Sequence, residues 1–86
     1  MNPHEIIKYP VSSEKAVRLM ESDNKLTFMV SRKSSKTDIK IALEELFKIK
    51  IEKINTLILP GGKKKVYATL SAETPAIDVA TKLGLI

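Results

Sequence analysis

The stretch SKTDIKIALEELFKIKIEKINTLIL, Ser35 to Leu59, changes its hydrophobic period part-way along, and that change governs the fold. In its first half Ile39, Ala42, Leu43, Leu46 and Phe47 recur at i, i+3, i+4, i+7 and i+8, the spacing of one apolar helix face. Ser35 can accept from the free amides of the first turn, and Asp38, three residues on, can return the bond as the acid of a capping box. The pattern predicts a helix over Lys36–Phe47. From Lys53 the period drops to two. Ile54, Thr56 and Ile58 alternate with Asn55, Leu57 and Leu59, which predicts a strand over Lys53–Leu59 with apolar side chains on both faces at its far end. A helix feeding directly into a long strand implies a crossover onto a sheet.

Downstream, Pro60-Gly61-Gly62 makes a tight reversal, and Lys63-Lys64-Lys65 leads into a strand over Val66–Ser71, so the two strands form an antiparallel hairpin. Thr74 offers a capping side chain before Pro75 at the first position of a last helix. There Ile77, Ala80 and Leu83 share a face and Gly84 is the stop. Upstream, Glu5–Lys8 is expected as a short edge strand ended by Tyr9 and Pro10. Ser12 or Ser13 can then cap a helix of about two turns that begins with Glu14, has Ala16, Val17, Leu19 and Met20 as its apolar side, and ends near Ser22-Asp23-Asn24. Lys25–Val30 alternates as a strand with Leu26, Phe28 and Val30 toward the core, and Ser31–Ser35 is a basic polar loop. The order strand, helix, strand, helix, strand, strand, helix predicts an α+β fold. Its four-stranded antiparallel sheet contains a split β-α-β unit, a ferredoxin-like variant with helices packed on the sheet and the hairpin strand inserted between parallel companions.

Eighty-six residues suffice for one domain, residues 1–86, with a single modest core. With 43% apolar residues and only four aromatic ones, that core must be aliphatic, with Phe28 and Phe47 its bulkiest members. The absence of cysteine removes thiol chemistry, disulfides and most zinc sites and fits a reducing compartment. No apolar run is long enough to cross a bilayer and MNPHEIIKYP has no signal-peptide pattern, so a cytosolic location is expected. Fifteen basic against ten acidic residues leave a net charge of +5, which favours polyanionic partners.

Catalysis finds little support among these residues. His4 is the single histidine and reads as a solvated terminal side chain. Glu44 and Glu45 are adjacent on a helix and diverge by about 100°, and Glu44 has an i, i+4 partner in Lys48. Pro60-Gly61-Gly62-Lys63 lacks the helix and hydroxyl ligand of a phosphate loop. The basic clusters are the stronger signal. Arg32, Lys33 and Lys36 fall at the mouth of the long helix and Lys63, Lys64 and Lys65 at the hairpin turn; both follow carboxyl ends of the parallel strands and so belong to one edge of the sheet. A solvated lysine rim is the plain alternative. Two converging clusters, with Asn55 and Tyr67 available for polar and stacking contacts, favour RNA.

Tyr9-Pro10-Val11 with Ser13-Glu14-Lys15-Ala16, then Phe28 and Val30, Lys36 with Ile39-Lys40, Glu45-Leu46-Phe47, Ile54-Asn55-Thr56-Leu57 and Gly62-Lys63-Lys64-Lys65 stand in a specific order. Over nearly the whole chain this order resembles the large-subunit ribosomal protein twenty-three family, the universal protein beside the polypeptide exit tunnel. The short hairpin and the ending IDVATKLGLI look archaeal or eukaryotic, and the lack of a long basic amino-terminal tail points to an archaeal source. Val66 and Ala68 invert the size order usual for the family's last strand, a volume-compensating swap. The resemblance implies a structural component of the large ribosomal subunit, in the cytoplasm, that binds large-subunit ribosomal RNA, with no reaction and no cofactor. It implies RNA contacts at Lys33, Ser34, Lys36, Lys40, Asn55, Thr56, Lys63, Lys64, Lys65 and Tyr67, beside the Arg32 already singled out. Implied partners are neighbouring large-subunit ribosomal proteins and, through a docking surface that includes Ser13 and Glu14, the signal recognition particle and the translocon. Glu14 also serves the helix dipole whatever else it does.

Three other classes remain. A free-standing sheet-stacking RNA module would carry more aromatics on its central strands than Phe28 and Tyr67. A small phosphate-handling enzyme would aim an arginine at a rigid anion loop, whereas Arg18 and Arg32 lie on different elements. A protein-only adaptor would bind its partner with little salt dependence.

Overall fold

The computed structural model describes residues 3–84, with the side chains of Pro3 and His4 excepted. Readings that rest on Met1, Asn2, the His4 side chain, Leu85 and Ile86 lie outside the described residues. The elements run α1 (Pro3–Ile6), β1 (Ile7–Pro10), α2 (Glu14–Asp23), β2 (Lys25–Val30), α3 (Lys36–Phe47), β3 (Ile51–Ile58), β4 (Lys64–Leu70) and α4 (Ala76–Lys82). The sheet order is β1-β2-β4-β3 with every neighbouring pair antiparallel. β2 and β3 are thus parallel with β4 between them, the split β-α-β arrangement that the helix-to-strand stretch implies.

The capping box at α3 forms as its sequence dictates. The Ser35 hydroxyl accepts from the Asp38 amide at 3.1 Å, and the Asp38 carboxylate accepts from the Ser35 amide at 3.2 Å. Below α3, Ile39, Ala42 and Leu43 bury against Phe28, Leu26, Val66, Ala68 and Leu70 of the sheet. Phe47 stacks on Phe28 with ring centroids 5.4 Å apart, tying the end of α3 to β2.

Several boundaries differ from those the sequence predicts. The amino-terminal segment is a helical turn followed by β1, not a strand over Glu5–Lys8. Both Ile6 and Ile7 are thereby buried, Ile6 from the turn and Ile7 from the strand. Pairing also runs through Pro10, because on an edge strand its missing amide costs no ladder bond, and the next amide, Val11, donates to Thr27 O at 2.9 Å. α2 has ten residues, longer than two turns. β3 starts at Ile51, earlier than Lys53: the Glu44 carboxylate accepts from the Ile51 amide at 3.2 Å, and a bulge between Ile51 and Lys53 restores the alternation. Glu44 therefore anchors the strand start and forms no ion pair with Lys48 among the described residues. β4 begins at Lys64 and ends at Leu70, one lysine pair earlier than the apolar run alone suggests.

The start of α4 departs most instructively. Thr74 does not cap it and Pro75 is the N-cap, not the first helical residue. The cap comes instead from Asn24, whose Oδ1 accepts from the Ala76 amide at 2.6 Å while its Nδ2 lies 3.1–3.3 Å from the carbonyls of Leu70, Ser71 and Thr74. Asn24 is itself the left-handed C-cap of α2, at φ 54°. One side chain thus joins the ends of α2, β4 and α4. β2 is buried on both faces, not one: Thr27 and Met29 are buried as well as Leu26 and Phe28.

Candidate nucleic-acid interface

Two hydrogen-bonded turns set the basic edge. Gly61 and Gly62 take φ of +91° and +83°, conformations that suit glycine, and the reversal closes through Leu59 N to Lys63 O at 2.7 Å and Gly62 N to Leu59 O at 3.0 Å. Across from it the loop 31–35 folds back on itself through Ser34 N to Ser31 O. The two turns then lock together. Lys64 Nζ donates to Ser34 O at 2.6 Å, and the Arg32 guanidinium packs so close to Gly62 that a Cβ there would meet Nη1 at 3.0 Å. The clusters Arg32–Lys36 and Lys63–Lys65 consequently form one rim.

The cost of that lock falls on two of the residues expected to contact RNA. Ser34 is 2% exposed and gives its hydroxyl to Ser31 O, so its side chain holds the loop. Lys64 spends an ammonium proton on the same loop. Arg32, Lys33, Lys36, Lys40 and Lys63 remain exposed. Lys36 and Lys40 share the flank of α3 that carries Glu44 toward β3, which turns them to the outer edge of the sheet.

The strand register divides the remaining residues between two faces. Asn55 pairs with Tyr67 and Tyr67 with Thr27; Leu57 pairs with Lys65 and Lys65 with Met29; Lys53 pairs with Thr69 and Thr69 with Lys25. These residues, with Tyr9 opposite Met29, make up the sheet face turned away from α3. Thr56 sits opposite Val66 and so belongs to the helix-covered face, separated from Asn55 by the sheet itself.

None of the residues on the outer face is acidic. Among the described residues its one ion pair is Lys25 with Asp23, a loose 3.9 Å. Lys65 Nζ lies 5.5 Å from the Tyr67 ring centroid. Lys8, Tyr9, Met29, Val30 and Lys63 line a small hollow at the hairpin end, and Lys15, Leu19, Lys25, Asn55, Leu57 and Tyr67 line a wider groove at the other end. Basic groups therefore run from the rim across the whole outer face.

A family model described as ribosomal protein L23 matches residues 5–81. The chain belongs to the ribosomal protein L23 family. It is similar to the large ribosomal subunit protein uL23 of Methanococcus aeolicus, 46% identical over 85 residues, and to that of Methanococcus maripaludis, 48% identical over 85 residues; in each case the match covers 99% of both chains. The family, of archaeal type here, is a structural, non-enzymatic component of the large ribosomal subunit that serves translation in the cytoplasm alongside ribosomal RNA and other ribosomal proteins. Among the described residues no helix is long and apolar enough to cross a membrane, and no group of three or more His, Cys, Asp or Glu could hold a metal ion.

Ser13 and Glu14, the residues that the family resemblance connects with docking, open α2. Ser13 Oγ accepts from the Ala16 amide at 3.3 Å, and the Glu14 carboxylate meets Arg18 at 2.7 Å with its own side chain 81% exposed. Position by position, Glu14 and Arg18 face outward, while Lys15 and Leu19, about 100° round the helix, border the groove on the sheet. Lys15, Leu19, Lys25, Lys53 and Leu57 were not singled out by the cluster argument. The signal for Lys53, Asn55 and Leu57, or for Lys25, Thr27 and Met29, is strand alternation, and its use depends on knowing which face the helices cover.

Proposed function

We propose that this protein binds large-subunit ribosomal RNA directly, near the polypeptide exit tunnel, through the basic rim and the outer sheet face. The observation that carries the reading is the lock between the two turns. Lys64 on Ser34 O and Arg32 against Gly62 gather Arg32, Lys33, Lys36 and Lys63 at one edge, continuous with Lys65, Tyr67 and Asn55 on a sheet face whose described strand residues include no acid. Like charge gathered at the cost of mutual repulsion fits a polyanion with regularly spaced phosphates. In this arrangement Arg32, Lys33, Lys36, Lys40, Lys63 and Lys65 neutralise phosphates, Asn55 and Tyr67 meet sugar or base, and Ser34 and Lys64 hold the rim in shape. Thr56 contributes from the other side of β3, beside the flank of Lys36 and Lys40.

The same reading includes a docking surface for nascent-chain factors, chiefly the signal recognition particle and the translocon, at Ser13 and Glu14. Its support is the outward face of α2, where the Glu14 side chain is accessible. The testing experiment is binding of the purified protein to a tiled set of large-subunit ribosomal RNA fragments, with unrelated duplex RNA as competitor. One fragment is expected to hold through the competitor, and Lys36→Glu and Lys65→Glu are each expected to weaken it at least tenfold with unchanged thermal midpoints. Equal binding of every fragment, erased by the competitor, would reduce the rim to a non-specific charge. For docking, Glu14→Lys should abolish capture of signal recognition particle by subunits that carry the variant; undiminished capture removes Glu14 from that surface.

A further inference from the structure

The groove between α2 and the outer sheet face has the composition of a nucleobase site, not of a phosphate track. Its volume is about 370 Å3, and its lining joins an aromatic ring, two leucines, an amide and two lysines: Tyr67, Leu19, Leu57, Asn55, Lys15 and Lys25. Asn55 and Tyr67 are directly paired across β3 and β4, so the amide stands beside the ring at fixed register. Lys65 approaches the ring from the hairpin side, 5.5 Å from its centroid, and is not part of the lining. Lys15 and Leu19 of α2 form one wall of the groove and the sheet residues the other. Leu57 remains 47% exposed at its mouth, an apolar surface flanked by cations.

A duplex presents phosphates and groove edges, but its bases are stacked on one another and offer no free face to the Tyr67 ring. An unpaired base can. Stacking on an aromatic ring tolerates any base, and an amide can hydrogen-bond a base edge in two directions, while lysines at the mouth meet the flanking phosphates. Resting on the RNA-binding function proposed above, we propose that this groove takes one unstacked base of a single-stranded segment. Tyr67 is the stacking platform, Asn55 reads the base edge, Leu19 and Leu57 bound the base, and Lys15 and Lys25 hold the adjoining phosphates.

The test uses the whole protein with single-stranded RNA hexamers of each base and a blunt RNA duplex of equal length. The chain has two tyrosines and no tryptophan, so in a Tyr9→Phe background the tyrosine ring protons seen by NMR belong to Tyr67 alone. Hexamers are expected to shift those protons upfield, the duplex is not, and Tyr67→Leu should lower hexamer affinity about 5- to 150-fold, the range measured for loss of one stacking partner. Tyr67→Phe should retain it. Should Tyr67→Leu fail to fold, Leu57→Glu, on an exposed position, carries the same test. Ring protons left unshifted by the hexamers, or shifted as far by the duplex, would overturn the base site. If ribosomal RNA fragments still bind in that case, the broader RNA-binding reading survives and only the groove's role falls; if neither fragments nor hexamers bind, both fall. A benzophenone side chain at Leu57 should crosslink to RNA in ribosomes, and crosslinking to a polypeptide would assign the groove to a protein neighbour and overturn the proposal.

Discussion

Asn24 makes more long-range polar contacts than any other side chain described here, and it does so from a left-handed backbone conformation that asparagine tolerates better than most residues. Asn24→Ala loses the clamp and adds left-handed strain, with an expected cost of about 2–3 kcal/mol. Asn24→Gly relieves the strain but not the clamp and should cost less, so urea midpoints of the pair separate the two effects. In both variants amide exchange should accelerate in α4. Thr27 presents the opposite case, a hydroxyl buried without a hydrogen-bond partner. Thr27→Val keeps the shape, removes the orphan, and is expected to raise stability by up to about 1 kcal/mol. A lower melting temperature would show that the hydroxyl has a partner. Asp38 titrates below the ordinary aspartate range because the Ser35 amide, and then the Ser35 hydroxyl, favour its charged form. A carboxylate with a lowered folded pKa adds stability that is fully present above its unfolded value of about 4 and disappears as the pH falls through the folded value. Stability from this cap should thus fall only in acid, and Asp38→Asn should flatten that limb of the pH profile.

At the scale of the element, α3 illustrates agreement of several local signals: cap, apolar stripe and helix-forming composition all specify Lys36–Phe47. The hairpin is different. Its glycines look interchangeable in sequence, yet a Cβ at Gly61 would meet nothing within 4 Å whereas one at Gly62 would meet Arg32. Gly61→Ala is expected to cost about 1–2 kcal/mol of backbone strain and to leave RNA affinity unchanged. Gly62→Ala carries the same strain and in addition displaces the Arg32 guanidinium, so it should also weaken binding of the cognate RNA fragment. Equal affinities for the two variants would mean that Arg32 is not fixed by the turn.

The whole molecule decides how charge is used. Salt dependence is a global property, because it counts the phosphates neutralised at once and not any single contact. With about five phosphates engaged, affinity should fall by roughly two to three decades between about 50 and 200 mM salt. Lys33→Ala or Lys65→Ala should each reduce the slope by about one, while Asn55→Ala lowers affinity at unchanged slope. Lys64→Ala has a different expected signature: its ammonium is committed to Ser34 O, so loss of binding should come with faster amide exchange in the loop 31–35.

The helix over Lys36–Phe47, the strands β2, β3 and β4 and the two basic clusters were legible in the sequence, since caps, periodicity and turn glycines act between residues only a few positions apart; β1 was displaced by two residues. Contacts far apart in sequence were not. The Asn24 cap on Ala76 spans 52 positions, and nothing local distinguishes it from Thr74, which stands in the customary place. The earlier start of β3 depends on Glu44 reaching over the α3–β3 connection, and the burial of both faces of β2 depends on what packs against each. The outer face with its groove existed in the sequence only as alternating letters. Strand alternation assigns side chains to two sides without saying which is covered, and only the tertiary packing of the helices left Lys25, Lys53, Asn55, Leu57, Lys65 and Tyr67 together on the side away from α3.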